Sequence, residues 1–410
     1  MKSYSEALSW LYSTQLFGIK PGLEPVLRMV RALAIPIDPR GDEGKPVMRV
    51  HVAGTNGKGS TCAMLASICR AAGLRTGLYT SPHLVSFRER IQIDGDWIPE
   101  DAVLRGLNTL RNTVEKWDPH PTFFELVTVL ALWWFQQSGV SVVVLETGMG
   151  GLLDATNVVT PSVSVLTPIG LDHQKQLGEN VREIALQKAG ILKKGVPAVS
   201  APQASDVRTV FSQAAREKEV RLRWVCEPWR KGSVGLRGEV QQWNAALAVA
   251  AVQLLPRSFP DATIAAGLAG VHWPGRFHRL EQTLVLDGAH NPHAAAELIR
   301  TWRGEFGALR AEVVFGAAED KDAAGMLRIL APLMDSLTVV PIRGRTTMPP
   351  DILEKLAREC APGLQVYREE SLAAVLARKP TGMRLVTGSL FLVGEALAVL
   401  QGLAQERSLQ

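Results

Sequence analysis

A glycine-rich loop between two runs of different character constrains the fold of this chain more than any other feature. Residues 47–53 are rich in β-branched side chains and predict a strand, the loop GTNGKGST follows at residues 54–61, and residues 62–72 are compatible with a helix. In this order, backbone N–H groups can surround a polyphosphate, Lys58 can reach its outer phosphates and the Ser60 hydroxyl can bind Mg²⁺. The sequence therefore predicts a nucleotide site after the first strand. The alternative is a glycine-rich turn with a surface lysine.

Short β-branched runs alternate with longer helical stretches along the rest of the chain. Further strands are predicted at residues 76–79, 140–145, 163–167, 197–200, 283–286, 312–315, 337–342 and 384–386. This alternation predicts the α/β class, in which helices cover both faces of a parallel sheet. A tight-turn sequence at residues 273–276 separates the two sets of strands, and we place a domain junction there.

Two domains are expected from this junction. Residues 1–275 should form a P-loop ATPase-type parallel-sheet domain that includes an N-terminal substrate-side segment, and residues 276–410 a smaller, Rossmann-like α/β domain. Ligands of open α/β sheets bind beyond the carboxyl ends of the strands and often between domains. The cleft between the two domains, with ATP across it, is therefore the predicted site.

Composition and charge exclude several classes of protein. With 410 residues, of which 46% are hydrophobic, the chain is neither disordered nor fibrous. Its net charge of +5 comes from basic residues scattered among acids, so we expect small anionic substrates and no nucleic-acid partner. The four cysteines show no CxxC pair, which favours reduced thiols in the cytoplasm. The N-terminus lacks a signal-peptide core and the apolar run at 123–135 is too short to span a bilayer, so no membrane partner is expected.

Motifs throughout the chain resemble those of one enzyme family. The loop departs from the usual GxxxxGK[ST] spelling because Gly59 separates Lys58 from Ser60, and its GTNGKGS string resembles the phosphate loop of the Mur ligase superfamily, specifically of the folylpolyglutamate synthase and dihydrofolate synthase family. Other strings resemble motifs of that family in the family's order: TSPHL (80–84), LETGMGG (145–151), LDATN (153–157), LDH (171–173), KAGI (188–191), PGRF (274–277), DGAHNPH (287–293), DKD (320–322) and GSL (388–390).

The resemblance implies a ligase that uses ATP to join L-glutamate to a pterin acid, either dihydropteroate or a reduced folate. ATP first phosphorylates the acid, because phosphate leaves readily whereas a carboxylate oxygen does not. The amine of glutamate then attacks the acyl phosphate and expels this phosphate. The resemblance further implies two Mg²⁺ sites, room for a monovalent cation such as K⁺, a C-terminal glutamate-ligase domain and a monomer.

The resemblance also assigns roles to particular residues. Nucleotide contacts are implied for Asn56, Gly57, Lys58, Gly59, Ser60, Asn244, Arg276 and Asp287. Metal ligands are implied at Ser60, Ser81, Glu146 and His173, and catalytic roles at Lys58, His173 and Lys188. The matching lysine of the family is carbamylated, which would turn Lys188 into an anion able to support the second Mg²⁺. By composition alone, Lys188 would be an ordinary helix-surface lysine, Asp287 a helix N-cap and a lone His173 a structural histidine.

Two segments match the family's contacts to dihydropteroate: Thr122, Phe123, Phe124 and Glu125, and Leu153, Asp154 and Ala155. Aromatic rings offer a stacking face for a flat heterocycle. The two phenylalanines could equally be core residues on one helix. Residues 18–24 resemble the family's substrate-side loop.

Three positions depart from the family pattern. Leu152 and Pro25 stand where the family has arginine, and Gln187 stands where glutamate is usual. The loss of two guanidinium groups removes contacts to an anionic substrate, so these departures bear on substrate choice more than on ATP-driven ligation. Two alternatives remain open: a Mur-type ligase acting on another acid, and a catalytically silent nucleotide-binding regulator. The sequence also leaves open whether the enzyme has one activity or two.

Overall fold

The computed structural model describes residues 1–17, 22–38, 46–343 and 346–406, which form two sheets flanked by helices. The first sheet contains β1 (Met48–Ala53), β2 (Thr76–Tyr79), β3 (Ile91–Ile93), β4 (Asp96–Trp97), β5 (Val142–Glu146), β6 (Val163–Leu166), β7 (Ala198–Ser200) and β8 (Leu222–Trp224). The second contains β9 (His278–Glu281), β10 (Leu284–Leu286), β11 (Ala311–Phe315), β12 (Met334–Val339), β13 (Gln365–Arg368) and β14 (Met383–Thr387).

The helices lie between these strands and around them. They are α1 (Tyr4–Ser13), α2 (Glu24–Ala32), α3 (Lys58–Ala71), α4 (Glu100–Val114), α5 (Phe123–Gln137), α6 (Gln174–Leu177), α7 (Val181–Ala189), α8 (Ser205–Glu217), α9 (Glu239–Val252), α10 (Asp261–Ala269), α11 (Pro292–Phe306), α12 (Ala323–Leu330), α13 (Pro350–Cys360), α14 (Leu372–Leu376) and α15 (Leu390–Gln401). No helix of the described residues has the length and apolar character that crossing a membrane requires.

The first sheet has the strand order β4-β3-β2-β5-β1-β6-β7-β8. Its strands are parallel from β2 to β8, whereas β3 and β4 form an antiparallel edge. Successive side chains of β5 pack on opposite faces: Val142 and Val144 join the core beneath α3, α9 and α10, and Val143 and Leu145 join the core beneath α1, α2, α4 and α5. This two-sided burial explains why the strand is apolar throughout, since both faces of a parallel sheet are covered.

The second sheet has the order β13-β12-β11-β14-β10-β9, with β9 antiparallel to β10 and the other neighbouring strands parallel. One face packs against α11 and α12. The other packs against α15 and also contains Leu84 and Val85, which belong to the connection between β2 and β3. Residues up to 275, which include the first sheet, are called the first half of the chain, and residues from 276, which include the second sheet, the second half. That connection therefore links the cores of the two halves.

The α/β class is confirmed, and every predicted strand overlaps an observed strand. Boundaries differ where the sequence pattern was ambiguous: the strand predicted at 337–342 is β12, which begins at Met334. Helix α3 begins at Lys58, earlier than predicted, because Gly57 adopts a left-handed φ of 85° that allows the loop to enter the first turn. Strands β3, β4, β8, β9 and β13 were not predicted. Each is at most four residues long, and most residues of β4, β9 and β13 are exposed, which leaves no apolar run to detect.

Candidate active site

Four neighbouring strands of the first sheet end at one edge, and the residues that follow them line a common cleft. β2, β5, β1 and β6 lie side by side and run in the same direction, so the segments after them emerge together. The cleft is lined by every residue to which the sequence assigns a nucleotide, metal or catalytic role: Asn56, Gly57, Lys58, Gly59, Ser60, Ser81, Glu146, His173, Lys188, Asn244, Arg276 and Asp287. The last two belong to the second half of the chain.

The loop after β1 is packed so closely that two of its glycines cannot be replaced without a clash. A Cβ on Gly54 would lie 1.8 Å from Thr167 Oγ1, and one on Gly57 would lie 2.6 Å from Asn244 Oδ1. The N–H groups of Thr55 and Asn56 donate to the carbonyl of Pro168 at 3.0 and 3.2 Å. Helix α3 begins just beyond, at Lys58, without a side-chain cap. The N–H groups of the first turn of α3 therefore lack a side-chain cap at the end of the helix that borders the cleft. An anion is favoured at this position.

Ser81 and Glu146 form a buried polar pair beside this loop. The Ser81 N–H donates to Glu146 Oε2 at 3.2 Å, and Glu146 is only 4% exposed. The Ser81 hydroxyl is also buried and has no hydrogen-bond partner. Burial raises the pKa of Glu146, while the positive charges of Lys58 and Arg276 oppose the shift. A buried carboxylate and an unpaired hydroxyl are the kind of groups that a cation would satisfy.

The residues of the cleft fit a Mg²⁺ ion that takes its remaining oxygen ligands from a bound phosphate. The described residues contain no group of three or more His, Cys, Asp or Glu side chains that could hold a metal by themselves. Mg²⁺ does not require one, because it is usually bound by one or two carboxylates together with substrate phosphates and water. The Ser81 hydroxyl and the Glu146 carboxylate supply oxygen donors of this type.

Lys188 is buried, so its interpretation as a helix-surface lysine is wrong. It lies on α7 with 4% of its surface exposed, and its Nζ donates to the carbonyl of Gly54 at 2.8 Å. Burial, together with the charge of Lys58, lowers the pKa of Lys188 to about 7. A neutral amine is therefore well populated at physiological pH.

A cluster of polar side chains joins the two halves at the rim of the cleft. Lys321 Nζ lies 2.5 Å from Asp172 Oδ1, and both side chains are almost buried. Asn291 Nδ2 donates to Asn56 Oδ1 at 3.1 Å and lies 3.4 Å from Asp172 Oδ2, while His290 Nε2 lies 3.4 Å from the same oxygen. Burial would raise the pKa of Asp172, but the contact with His290 and the nearby positive charges, Lys321 among them, hold it well below its usual range.

His173 follows Asp172 and lies at the start of α6 with a left-handed φ of 50°. Burial lowers the pKa of His173 to about 4, in spite of the neighbouring Asp172 carboxylate. The imidazole is thus neutral near pH 7, which is the form that binds metals. The sequence predicts no role for four residues of this cluster, although each belongs to one of the motifs LDH, DGAHNPH and DKD: Asp172, His290, Asn291 and Lys321. Their proximity depends on the meeting of two sheets.

Asn244 and Asp287 are both held by neighbours at the cleft. Asn244 Nδ2 donates to Gln241 Oε1 at 3.0 Å. Asp287 accepts from the N–H groups of Phe277 and Ala289, each at 2.8 Å, and burial raises the pKa of Asp287 against the charge of Arg276. Asp287 does not cap a helix, because the N-cap of α11 is Asn291.

The first segment predicted to contact the pterin does not line the cleft itself. Thr122 and Glu125 form a capping box at the start of α5, in which the Thr122 N–H donates to Glu125 Oε2 at 2.6 Å. Phe123 is buried and stacks on Tyr12 with ring centroids 5.7 Å apart. Phe124 packs against Gly148, where a Cβ would lie 2.4 Å from its ring. Because Gly148 lines the cleft, this segment supports the cleft wall from behind.

The second predicted segment supports the same wall. Asp154 accepts hydrogen bonds from the Met149 N–H at 2.9 Å, the Thr156 N–H at 3.0 Å and the Thr156 hydroxyl at 2.5 Å. The Thr156 hydroxyl in turn lies 2.7 Å from Nε2 of the fully buried His51 on β1. Leu153 is exposed and Ala155 is buried. Asp154 therefore fixes the loop after Glu146, of which Met149 lines the cleft.

The positions that depart from the family pattern lie outside the cleft lining. The Leu152 side chain is 44% exposed, and its N–H donates to the carbonyl of Gln187 at 2.8 Å. Pro25 lies in the first turn of α2, where its missing N–H costs no helical hydrogen bond. Of the predicted substrate-side loop at 18–24, residues 18–21 lie outside the described residues.

Comparisons with known proteins show the family to which the chain belongs. The family model for the Mur ligase middle domain matches residues 52–224, and that for the Mur ligase, glutamate ligase domain, matches residues 275–390. The folylpolyglutamate synthase of Lacticaseibacillus casei is 33% identical over 98% of this chain and 99% of its own length. The chain belongs to the folylpolyglutamate synthase and dihydrofolate synthase family. The dihydrofolate synthase/folylpolyglutamate synthase of Escherichia coli, another member, is 34% identical over 96% of this chain and 94% of its own.

A further relative is longer than this chain, and a solved structure of the family has a very similar fold. A Haloferax volcanii protein named a probable bifunctional folylpolyglutamate synthase/dihydropteroate synthase is 35% identical, and the chain spans 50% of its length. The Mycobacterium tuberculosis folylpolyglutamate synthase complexed with ADP and AMPPCP matches with a TM-score of 0.86 and 28% identity, covering 98% of this chain and 100% of that chain. The family and its fold, inferred above from motif order, are confirmed.

Proposed function

We propose that this protein is an ATP-dependent ligase that joins L-glutamate to a pterin acid, dihydropteroate or a reduced folate, and releases ADP and phosphate. The observation that carries the proposal is the convergence of the phosphate loop, the Ser81–Glu146 pair and the buried Lys188 in one cleft. Membership of the family supports it, because relatives carry the names of both glutamate-adding activities. The dihydropteroate synthase part of the Haloferax name is outside the proposal, since the chain spans only half of that protein.

The nucleotide is held from both halves of the chain. Lys58 and the first turn of α3 contact its phosphates, with Asn56, Gly57, Gly59 and Ser60 forming the rest of the cradle. The planar guanidinium of Arg276 forms hydrogen bonds with a phosphate, Asp287 accepts hydrogen bonds from ribose hydroxyls, and the Asn244 amide forms hydrogen bonds with the base. Since Arg276 and Asp287 belong to the second half, this nucleotide site is complete only when the two halves are together.

Glu146, Ser81 and the neutral His173, with Ser60 in the phosphate loop, would hold Mg²⁺ at two sites, and a monovalent cation such as K⁺ would bind as a further ion. The metal, when bound, neutralises charge on the transferring phosphoryl group. The protein's own groups keep that charge oriented: Lys58 lies at the phosphate side and burial keeps Glu146 out of bulk water. These residues create the electrostatic environment in which the acid's oxygen can attack phosphorus.

Lys188 is proposed to act as a carbamate. Its neutral amine attacks the carbon of CO₂: a C–N bond forms, one C=O π bond opens to a C–O⁻ group, and the nitrogen gives one proton to water. The neutral side chain thus becomes a carboxylate-like anion. The low pKa supports this step, because only the unprotonated amine is nucleophilic. Protein labelled with ¹³C-bicarbonate should show a carbamate carbon signal that Lys188→Met abolishes. Full activity without such a signal would remove the carbamate from the proposal.

The acid's carboxylate attacks the terminal phosphorus, the bond to ADP breaks, and an acyl phosphate forms. The glutamate amine then attacks the acyl carbon, the C–O bond to phosphate breaks, and the amine loses a proton. We propose that the pterin acid binds against the cleft wall at Gly148 and Met149. Two segments support this wall from behind and set its shape: Thr122, Phe123, Phe124 and Glu125, and Leu153, Asp154 and Ala155. Phe124 packs against Gly148, and Asp154 positions the loop through the Met149 N–H.

A substrate panel tests the function. Purified protein with ATP, Mg²⁺, glutamate and either dihydropteroate or a reduced folate should give a product heavier by one glutamyl unit, measured by mass spectrometry, and longer ladders would reveal repeated addition. Turnover only with another acid would favour a Mur-type ligase, and nucleotide binding without turnover a silent regulator. We propose further that the protein acts in the cytoplasm and that its partners are small molecules. We also propose that it is a monomer, which a measurement of its size in solution with and without substrates tests.

A further inference from the structure

The connection between β2 and β3 is anchored in both halves of the chain. At its start, Ser81 donates its N–H to Glu146 of the first half at 3.2 Å. Three residues later, Leu84 and Val85 are buried in the second sheet's core with Leu286 and Val393. A movement of the second half therefore reaches Ser81 directly through the backbone of residues 81–84.

The C-terminal end of the described chain fastens this connection from outside. Gln405 Nε2 donates to the carbonyls of Leu84 at 2.8 Å and Phe391 at 3.2 Å, and the Glu406 N–H donates to the carbonyl of Val85 at 2.8 Å. The Glu406 carboxylate accepts from the Ser86 hydroxyl at 3.1 Å and from the Phe87 N–H. Apart from the bond between Gln405 and Phe391, these contacts join residues more than 300 positions apart in sequence; Phe87 and Glu406 are 319 positions apart.

The first helix also takes part. The Tyr4 hydroxyl donates to Glu406 Oε1 at 3.1 Å and lies 3.3 Å from Oε2. The Glu406 carboxylate thus accepts hydrogen bonds from α1 and from the β2–β3 connection, and so joins both to the C-terminal segment. Hydrogen bonds to an ionised acceptor are about twice as strong as neutral ones, so Glu406 is suited to hold three segments together.

Helix α15 is shaped to admit this arrangement. A Cβ on Gly394 would lie 2.1 Å from the Leu84 carbonyl oxygen and 2.5 Å from Gln405 Nε2. Glycine in a helix interior normally lowers stability relative to alanine. Its presence here is explained by the close approach of the connection and the C-terminal segment, which is independent of the Glu406 contacts.

We propose that residues 403–406 are a strap that couples the second half of the protein to Ser81, with Glu406 as its positioning residue. While the strap is closed, the connection is held at Leu84–Phe87 and Ser81 is kept against Glu146. When Glu406 is lost, the connection loosens and Ser81 leaves its place. The effect on Mg²⁺ rests on the proposed function, whereas the coupling between Glu406 and Ser81 does not.

Hydrogen exchange resolved to single residues in the full-length, ligand-free protein tests the coupling. Glu406→Ala should speed exchange of the Phe87 N–H, which loses its acceptor, and also of the Ser81 N–H, each by about tenfold. Gly394→Ala, which displaces Leu84 from the other side, should do the same at Ser81. The exposed Glu227→Ala is the matched control and should leave both sites unchanged. Faster exchange at Phe87 with unchanged exchange at Ser81 would overturn the proposal, because the strap would then be a local anchor.

The consequence for the site is measured separately, by Mn²⁺ binding in the presence of AMPPCP. Glu406→Ala should weaken Mn²⁺ affinity about tenfold at a temperature where the variant is fully folded, and Glu406→Gln should recover part of it. Equal Mn²⁺ affinity in wild type and variant would limit Glu406 to a structural role and overturn its role at the site. If the wild type bound no nucleotide at all, the proposed function would fail, and the exchange of Ser81 would still decide the coupling.

Discussion

Lys188 should give the protein a pH-dependent stability that one substitution removes. Burial lowers the pKa of Lys188 to about 7, whereas a lysine in an unfolded chain titrates at about 10.4. Between these values the unfolded chain binds one more proton than the folded chain. The free energy of unfolding therefore rises with pH by about 1.4 kcal/mol per unit, and below about pH 7 this slope disappears because both states are protonated. Lys188→Met does not titrate and should lack the slope.

Urea unfolding of wild type and Lys188→Met in buffer freed of carbon dioxide measures the effect. Between about pH 7.5 and about pH 9, the wild type should gain roughly 2 kcal/mol relative to the variant. Lys194→Met is the control for the removal of one lysine, because the side chain of Lys194 is 75% exposed. Parallel pH profiles for wild type and Lys188→Met would show that Lys188 stays charged when folded, and would remove the neutral amine on which the carbamate depends.

Three further outcomes are expected. Gly57→Ala forces a side chain into a left-handed φ of 85°, which costs about 1–2 kcal/mol; ADP affinity by calorimetry should fall about tenfold, and unchanged affinity would mean that the loop does not hold the nucleotide. Lys321→Met leaves the buried Asp172 without its cation and should lower the free energy of unfolding by about 3 kcal/mol at neutral pH. Because the pKa of Asp172 is low, the ion pair stabilises the fold above about pH 4 and this stabilisation is lost in stronger acid. Equal free energies of unfolding for wild type and Lys321→Met at neutral pH would refute the role of the ion pair. Because the Thr156 hydroxyl donates to a carboxylate, His51 must donate through Nε2; burial lowers the pKa of His51 to about 3, so ¹⁵N NMR should find Nδ1 unprotonated down to about pH 5, and a protonated Nδ1 would contradict this tautomer.

The order of elements around the phosphate loop could be predicted because it is local. A β-branched strand, glycines and a helix lie within 25 consecutive positions, and the structure reproduces them as β1, the loop and α3. The parallel alignment of β2, β5, β1 and β6 then places Glu146 and Ser81 at one edge without further information from the sequence. Motif order supplied the remaining cleft residues.

Burial and long-range contacts were not predictable in the same way. Lys188 lies on a short helix whose sequence gives no sign that Gly54 covers it. The bonds of Glu406 join segments from opposite ends of the chain, and no local pattern records them. The capping box of Thr122 and Glu125 did carry a signal, since a threonine followed three residues later by glutamate is typical of a helix start. The same residues also match a family substrate segment, and the sequence alone does not separate the two roles.

The central parallel sheet of the first half separates two packing environments. Helix α3, which follows the phosphate loop, belongs to the core on one face, and α5, which supports the opposite wall of the cleft, belongs to the core on the other. Substitutions that share no neighbours combine nearly additively in their effect on stability. Substitutions in the core under α5 can therefore change the packing behind one wall of the cleft with little effect on the stability that the core under α3 contributes, so the two sides of the sheet can vary in sequence independently.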